Sequence, residues 1–177
     1  MSYHHLALAA KDMKATHHFY EDIMGFELVK VEVAPIPGGG WGKHFFYRIN
    51  GDDSNFIAFW ELWDVPGQTE HIYDLNDAAN MPAGTNHYAF SVDTEEELEH
   101  WRERWNKAGL QVLEIDHNWC HSVYTQDPNG NTVEFCLTTG TFTARDRAQA
   151  LAMMDETEFK PSPAPAKIEF YPPEVVE

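Results

Sequence analysis

The apolar and polar positions along the chain fall into two copies of one pattern. The first copy opens with HHLALAA, a short apolar run closed by Lys11-Asp12. Asp12 is a good helix N-cap, and Thr16, Phe19, Tyr20 and Ile23 recur at helical spacing before Gly25, a good terminator. Three strand-like runs follow: FELVKVEV, KHFFYRIN and NFIAFWELW. A loop with Pro35, Pro37 and glycines at 38–40 separates the first two, and a Gly51-Asp52-Asp53 turn the last two. The order is strand, helix, strand, strand, strand.

The second copy repeats it. NHYAFSV reads as a strand, and Thr94 with Glu97 forms a capping box at a helix start. Leu98, Trp101, Trp105 and Ala108 then recur at helical spacing, and Gly109 ends the helix. LQVLEID, CHSVYTQ and NTVEFC are three more strands, the last two joined by a tight DPNG turn. The pattern predicts an α+β chain built as a duplicated βαβββ unit. The modules span 1–63 and 87–138, with 64–86 as connector. Residues 139–177 form a tail, with a helix starting near Thr143 and a Pro-rich extended end.

Strand alternation then singles out polar side chains at matching places. In the first strand His5, Ala7 and Ala9 share one face and Leu6 and Leu8 the other. In the fifth, His87, Ala89 and Ser91 oppose Tyr88, Phe90 and Val92. In the closing strands Glu134 opposes Val133 and Phe135, and Glu61 opposes Trp60 and Leu62. On this reading Glu61 aligns with Glu134, and His5 with His87. Two histidines and two carboxylates suit one divalent metal ion (Fe2+, Mn2+, Ni2+, Co2+ or Zn2+) with two or three positions open to a substrate. His44 and His121 are further histidines that alternation can turn toward the same region.

Composition narrows the classes. A net charge of −17 opposes nucleic acid and anionic membrane surfaces. No apolar run has the length to span a bilayer. The N-terminus lacks the basic segment of a secretion signal, and two cysteines make no disulfide framework. A cytoplasmic protein is expected.

Three stretches carry a resemblance: HHLALAAKDMKATHHFYEDIMGFELV, HYAFSVDTEEELEHWRERWNKAGLQV and DHNWCHSVYTQDPNGNTVEF. Over about residues 3–138 the chain resembles the vicinal oxygen chelate superfamily, which includes glyoxalases, extradiol dioxygenases, methylmalonyl-CoA epimerase and fosfomycin-resistance proteins. The resemblance implies paired βαβββ modules forming a cup-shaped mixed sheet around a divalent metal. It also implies His5, His87 and Glu134 as ligands, Glu61 as a fourth, a small-molecule substrate with vicinal oxygens, and a homodimer.

The segment from Ile115-Asp116-His117 through Tyr124 and Asp127-Pro128 to Glu134 is similar to the extradiol signature, which implies that His117 and Tyr124 contact substrate. Two features oppose a dioxygenase. Asn55 stands where those enzymes carry a histidine base, and it cannot accept a proton near neutral pH. A fourth ligand at Glu61 leaves two open positions, too few for a chelating substrate and O2 together. The expected activity is therefore a glyoxalase-type lyase or isomerase, in which the metal acidifies a C–H and Glu134 or Glu61 moves the proton. The alternatives are an Fe(II) ring-cleaving dioxygenase and a non-catalytic ligand binder of bleomycin-resistance type. Trp41, Phe45, Tyr47, Phe59, Trp63 and Trp119 would suit a stacking cavity for such a binder, or serve as core.

Overall fold

The structure, a computed structural model, describes residues 3–51 and 53–174. Asp52 of the expected turn and the last three tail residues lie outside the described residues. The chain divides into two compact units, Met1–His87 with Gln126–Val133, and Tyr88–Thr125 with Glu134–Glu177.

In the first unit β1 (His5–Ala9) runs parallel to β4 (Phe56–Trp63). β3 (Trp41–Arg48) and β2 (Glu27–Pro35) follow antiparallel, giving the order β1-β4-β3-β2. Asp12 caps α1 (Met13–His17), accepting from the amides of Lys14 and Ala15 at 2.9 and 3.0 Å. The helix continues as a π-helical turn over His18–Ile23 and stops at Gly25, whose φ of 73° a side chain would resist. Tyr20 is fully buried, its ring centroid 4.5 Å from Phe59, with Phe19, Tyr47 and Ile57 completing the core. The connector folds a short 3₁₀ turn over Gln68–Glu70 and α2 (Leu75–Ala79), capped by Asp74.

The DPNG turn belongs to this unit, with Asp127 and Asn129 buried. Asp127 Oδ1 accepts from the amides of Asn129 and Asn131 at 2.8 and 2.9 Å, while Tyr20 donates to its Oδ2 at 3.1 Å. Asn129 Oδ1 accepts from the Lys11 amide at 2.8 Å, and Asn131 Oδ1 from the Leu75 amide at 3.0 Å. The turn thus satisfies backbone donors near the starts of α1 and α2, which water would otherwise have to reach.

The second sheet is built from β5 (His87–Val92), β6 (Val112–Asp116), β7 (Cys120–Gln126) and β8 (Thr132–Thr138). In the second unit α3 (Glu95–Lys107) covers it, with Thr94 as N-cap. Phe135 stacks on Trp101 at 4.2 Å and 17°, and lies 5.3 Å from Trp105. α4 (Ala144–Met153) starts with the Thr143–Asp146 capping box.

The tail departs from the expectation of a merely extended end. Lys167–Tyr171 forms β9, antiparallel to β6, so the sheet order is β5-β8-β7-β6-β9. Lys167 Nζ and Tyr171 Oη donate to the buried Glu114 carboxylate at 2.8 and 2.7 Å. Flanking prolines hide the five-residue alternation KIEFY, because proline signals the end of a strand more strongly than a short alternation signals its presence.

Candidate functional site

Side chains level with each other across neighbouring strands share a face. His5 is level with Phe56, Ala7 with Ala58 and Ala9 with Trp60. Across the next ladder Phe46 is level with Ala58, and His44 with Trp60. One face of the first sheet therefore carries His5, His44, Phe46, Trp60 and small alanines. His44 lies flat on Trp60 at 4.1 Å and 14°, with Phe46 at 4.2 Å and His5 at 6.2 Å. Burial, then the nearby His5, lowers the His44 pKa, and its buried Nε2 has no hydrogen-bond partner among the described residues.

Glu61 is on the opposite face. It is level with Lys43, in the same alternation as Phe59 and Tyr47, which pack on Tyr20. Burial raises the Glu61 carboxyl, Lys43 pulls it back and Asp12 adds to the rise. The expected equivalence of Glu61 and Glu134 is corrected by the core. Phe59 seats against Tyr20 as Phe135 seats against Trp101, so the place of Glu134 in the first repeat is held by Ala58. Glu61 is three positions further on, an odd slip that turns a strand side chain to the other face.

His87 donates from Nδ1 to the Gly84 carbonyl at 2.9 Å, which fixes the tautomer and makes Nε2 the lone-pair nitrogen suited to a ligand role. His5 Nδ1 lies 2.9 Å from His4 Nδ1, so one ring donates to the other.

In the second unit Glu134 is 5% exposed. Tyr124 hydrogen-bonds Glu134, and its hydroxyl lies 3.0 Å from His117 Nε2. With the phenol donating to the carboxylate, His117 donates to the phenol oxygen. Burial chiefly, with the Glu134 charge adding, pushes the Tyr124 phenol above its usual range. The structure thus brings His117, Tyr124 and Glu134 into one chain of proton-carrying groups. Beside it lie the free thiols of Cys120 and Cys136, hydrogen-bonded to each other. Burial, then Cys136, pushes Cys120 up to about 11. Alternation from Tyr124 back to Cys120 and from Glu134 on to Cys136 is the signal in the sequence that places both thiols on the Glu134 face. Asn55 is half-buried and donates to Ser54 Oγ at 2.6 Å.

Among the described residues no group of three or more His, Cys, Asp and Glu side chains is gathered closely enough to hold a metal ion. The donor types of His5, His87 and Glu134 each suit a divalent ion. No described helix is long and apolar enough to cross a membrane.

A family model described as the Glyoxalase/Bleomycin resistance protein/Dioxygenase superfamily matches residues 2–135. The chain belongs to that superfamily. Two tandem βαβββ modules are its α+β architecture, as the resemblance implied. A probable trivalent organoarsenical cleaving enzyme of Bacillus subtilis (strain 168) is 27% identical over 144 residues, 78% of this chain and 81% of that protein. The lactoylglutathione lyase structure from Agrobacterium tumefaciens is 25% identical with a TM-score of 0.50, covering 77% of this chain and 92% of that one. The fosfomycin resistance protein FosX from Listeria monocytogenes, complexed with Mn(II) and sulfate, shares the fold at 20% identity and a TM-score of 0.50, covering 84% and 97%.

Proposed function

We propose that this superfamily member is a divalent-metal-dependent enzyme with His5, His87 and Glu134 as ligands, acting on a small substrate with vicinal oxygens as a lyase or isomerase. The observation that carries the reading is Glu134. A carboxylate this buried costs several kcal/mol unless a charge or a hydrogen-bond network answers it, and here it heads the chain through Tyr124 to His117. The carboxylate at the head of that chain is the acceptor for a substrate proton. The Mn(II) bound by FosX and the lyase activity named for the Agrobacterium protein support the metal and the reaction class. Glu61 is not part of the proposed set, because it does not share the His5 face. With three ligands the coordination argument against O2 falls, and Asn55, which cannot serve as a base, remains as the ground for a reaction without it. The proposal includes a homodimer, which light scattering reads directly, and a cytoplasmic location.

The test is metal content by elemental analysis of protein purified without chelator. Wild type holds about one ion per chain, and His5→Ala and Glu134→Ala lose it. Full occupancy in both variants ends the proposal. An oxygen electrode on the Fe(II)-loaded protein with catechols and hydroquinones reads the reaction class, and robust O2 uptake replaces the lyase with a dioxygenase.

A second reading is favoured by the thiol pair. The substrate is then a trivalent organoarsenical, the class named for the Bacillus subtilis relative, because trivalent arsenic bonds avidly to thiols.

A further inference from the structure

We propose that Cys120 and Cys136 together form a two-thiol binding site for a soft, thiophilic centre of the trivalent arsenic type, holding it beside Glu134. The inference rests on the second reading above and names the residues that would grip such a substrate.

The two cysteines are the only ones in the chain and lie 136 − 120 = 16 positions apart. Neighbouring strands β7 and β8 bring them thiol to thiol. Both are free, Cys120 buried and Cys136 half-buried. Alternation puts them on the same face as Tyr124 and Glu134, so a ligand held by both sulfurs sits next to the hydrogen-bonded carboxylate.

The number of donors selects the ligand class. A structural zinc ion takes four ligands and a catalytic one three, whereas this pair offers two sulfurs. Two thiols alone suit a centre that accepts two sulfurs and keeps its third bond to its own carbon. An organoarsenical R–As(OH)2 does this by condensation. Two S–As bonds form and two As–O bonds break. Each thiol proton leaves with a hydroxide, so two waters are released and no oxidation state changes. The second S–As bond forms within a complex already held by the first, which strengthens binding by about a hundredfold or more over one thiol.

Phenylarsine oxide is the probe, followed by native mass spectrometry and by counting thiols with Ellman's reagent. Wild type is expected to take one equivalent and lose both thiols, while Cys136→Ser and Cys120→Ser bind about a hundredfold more weakly or worse. Cys136→Ser, at the half-buried position, carries the test if Cys120→Ser does not fold. Equal binding by a folded single-thiol variant overturns the proposal. So does failure of wild type to bind, or a native disulfide found in place of two thiols. Inorganic arsenite released from the probe is measured separately. Two-thiol binding without arsenite leaves this site standing and removes the cleavage reading. Arsenite without two-thiol binding does the reverse.

Discussion

The two repeats share an order of elements and diverge on the faces that packing leaves free. In the first, Phe59 seats against Tyr20 and the fully buried Ala58 beside it turns toward the His5 face. In the second, Phe135 seats against Trp101 and the residue beside it is Glu134. One half of the strand alternation is fixed by the need to cover a helix. The other half is open to change, and here it holds an alanine in one copy and a carboxylate in the other. The outer edges differ as well. β2 carries an exposed Lys30–Glu32 pair at 3.2 Å and ends at Pro35, features that discourage further pairing. β6 is instead covered by β9.

The largest expected effect tests that covered edge. Glu114 is 5% exposed and is bonded by Lys167 and Tyr171 from β9 and by His121 Nε2 at 2.8 Å. Burial works against its charge, but the hydrogen bonds from Lys167, Tyr171 and His121 outweigh burial and bring the carboxyl from 4.5 down to about 2. A carboxyl held below its ordinary value stabilises the fold fully above that value and loses the contribution as pH falls through the folded one. Glu114→Gln should therefore cost about 3 kcal/mol at pH 7, by leaving the half-buried Lys167 and the donors from Tyr171 and His121 without their charged acceptor. It should also flatten the acid limb of stability between pH 4.5 and about 2, read by urea unfolding across that range. An unchanged acid limb would mean that β9 is not held by this carboxylate.

The β-turns before the two closing strands give a smaller contrast. Gly51 (φ 71°) has nothing within 4 Å of where a Cβ would stand, whereas at Gly130 (φ 91°) a Cβ would meet Asp74 Oδ2 at 2.7 Å. Both alanine substitutions bear the left-handed backbone penalty of about 1 kcal/mol. Gly130→Ala also pushes on the cap of α2 and should cost about 2 kcal/mol in all. Equal melting temperatures for the two variants would show that the hydrogen-bonded DPNG turn gives way as readily as the open turn at Gly51.

The duplicated plan was legible because each module announces itself by period: alternating strands, a capped helix, a glycine stop. Asp12, Thr94 and Thr143 cap the helices they were expected to cap. His117, Tyr124 and Glu134 were singled out together by the resemblance to the extradiol signature, as substrate contacts and a ligand, but the hydrogen bonds that join them were not foreseen. What could not be read was register between strands. Whether Glu61 or Ala58 matches Glu134 depends on which aromatic seats under the helix, and Phe59, Trp60 and Trp63 are all candidates by composition. The Cys120–Cys136 pairing depends on the same ladder geometry, and β9 on a partner strand more than fifty residues away.

The smallest expected effect is also the one that decides the comparison. Glu61 lies level with Lys43 on the face that packs on Tyr20, away from His5. It is only half-buried, with one cation and one anion as charged neighbours that oppose each other. Glu61→Gln should therefore change stability by less than about 0.5 kcal/mol and leave metal content per chain at the wild-type level. Glu134→Gln, measured beside it, should lose the ion, because an amide is a far weaker ligand than a carboxylate for a hard or borderline cation. Loss of the ion from both would restore a four-ligand site and with it the coordination argument against O2. Loss from Glu134→Gln alone means that one repeat supplies a carboxylate where the other supplies only Ala58, and that the open coordination positions number three.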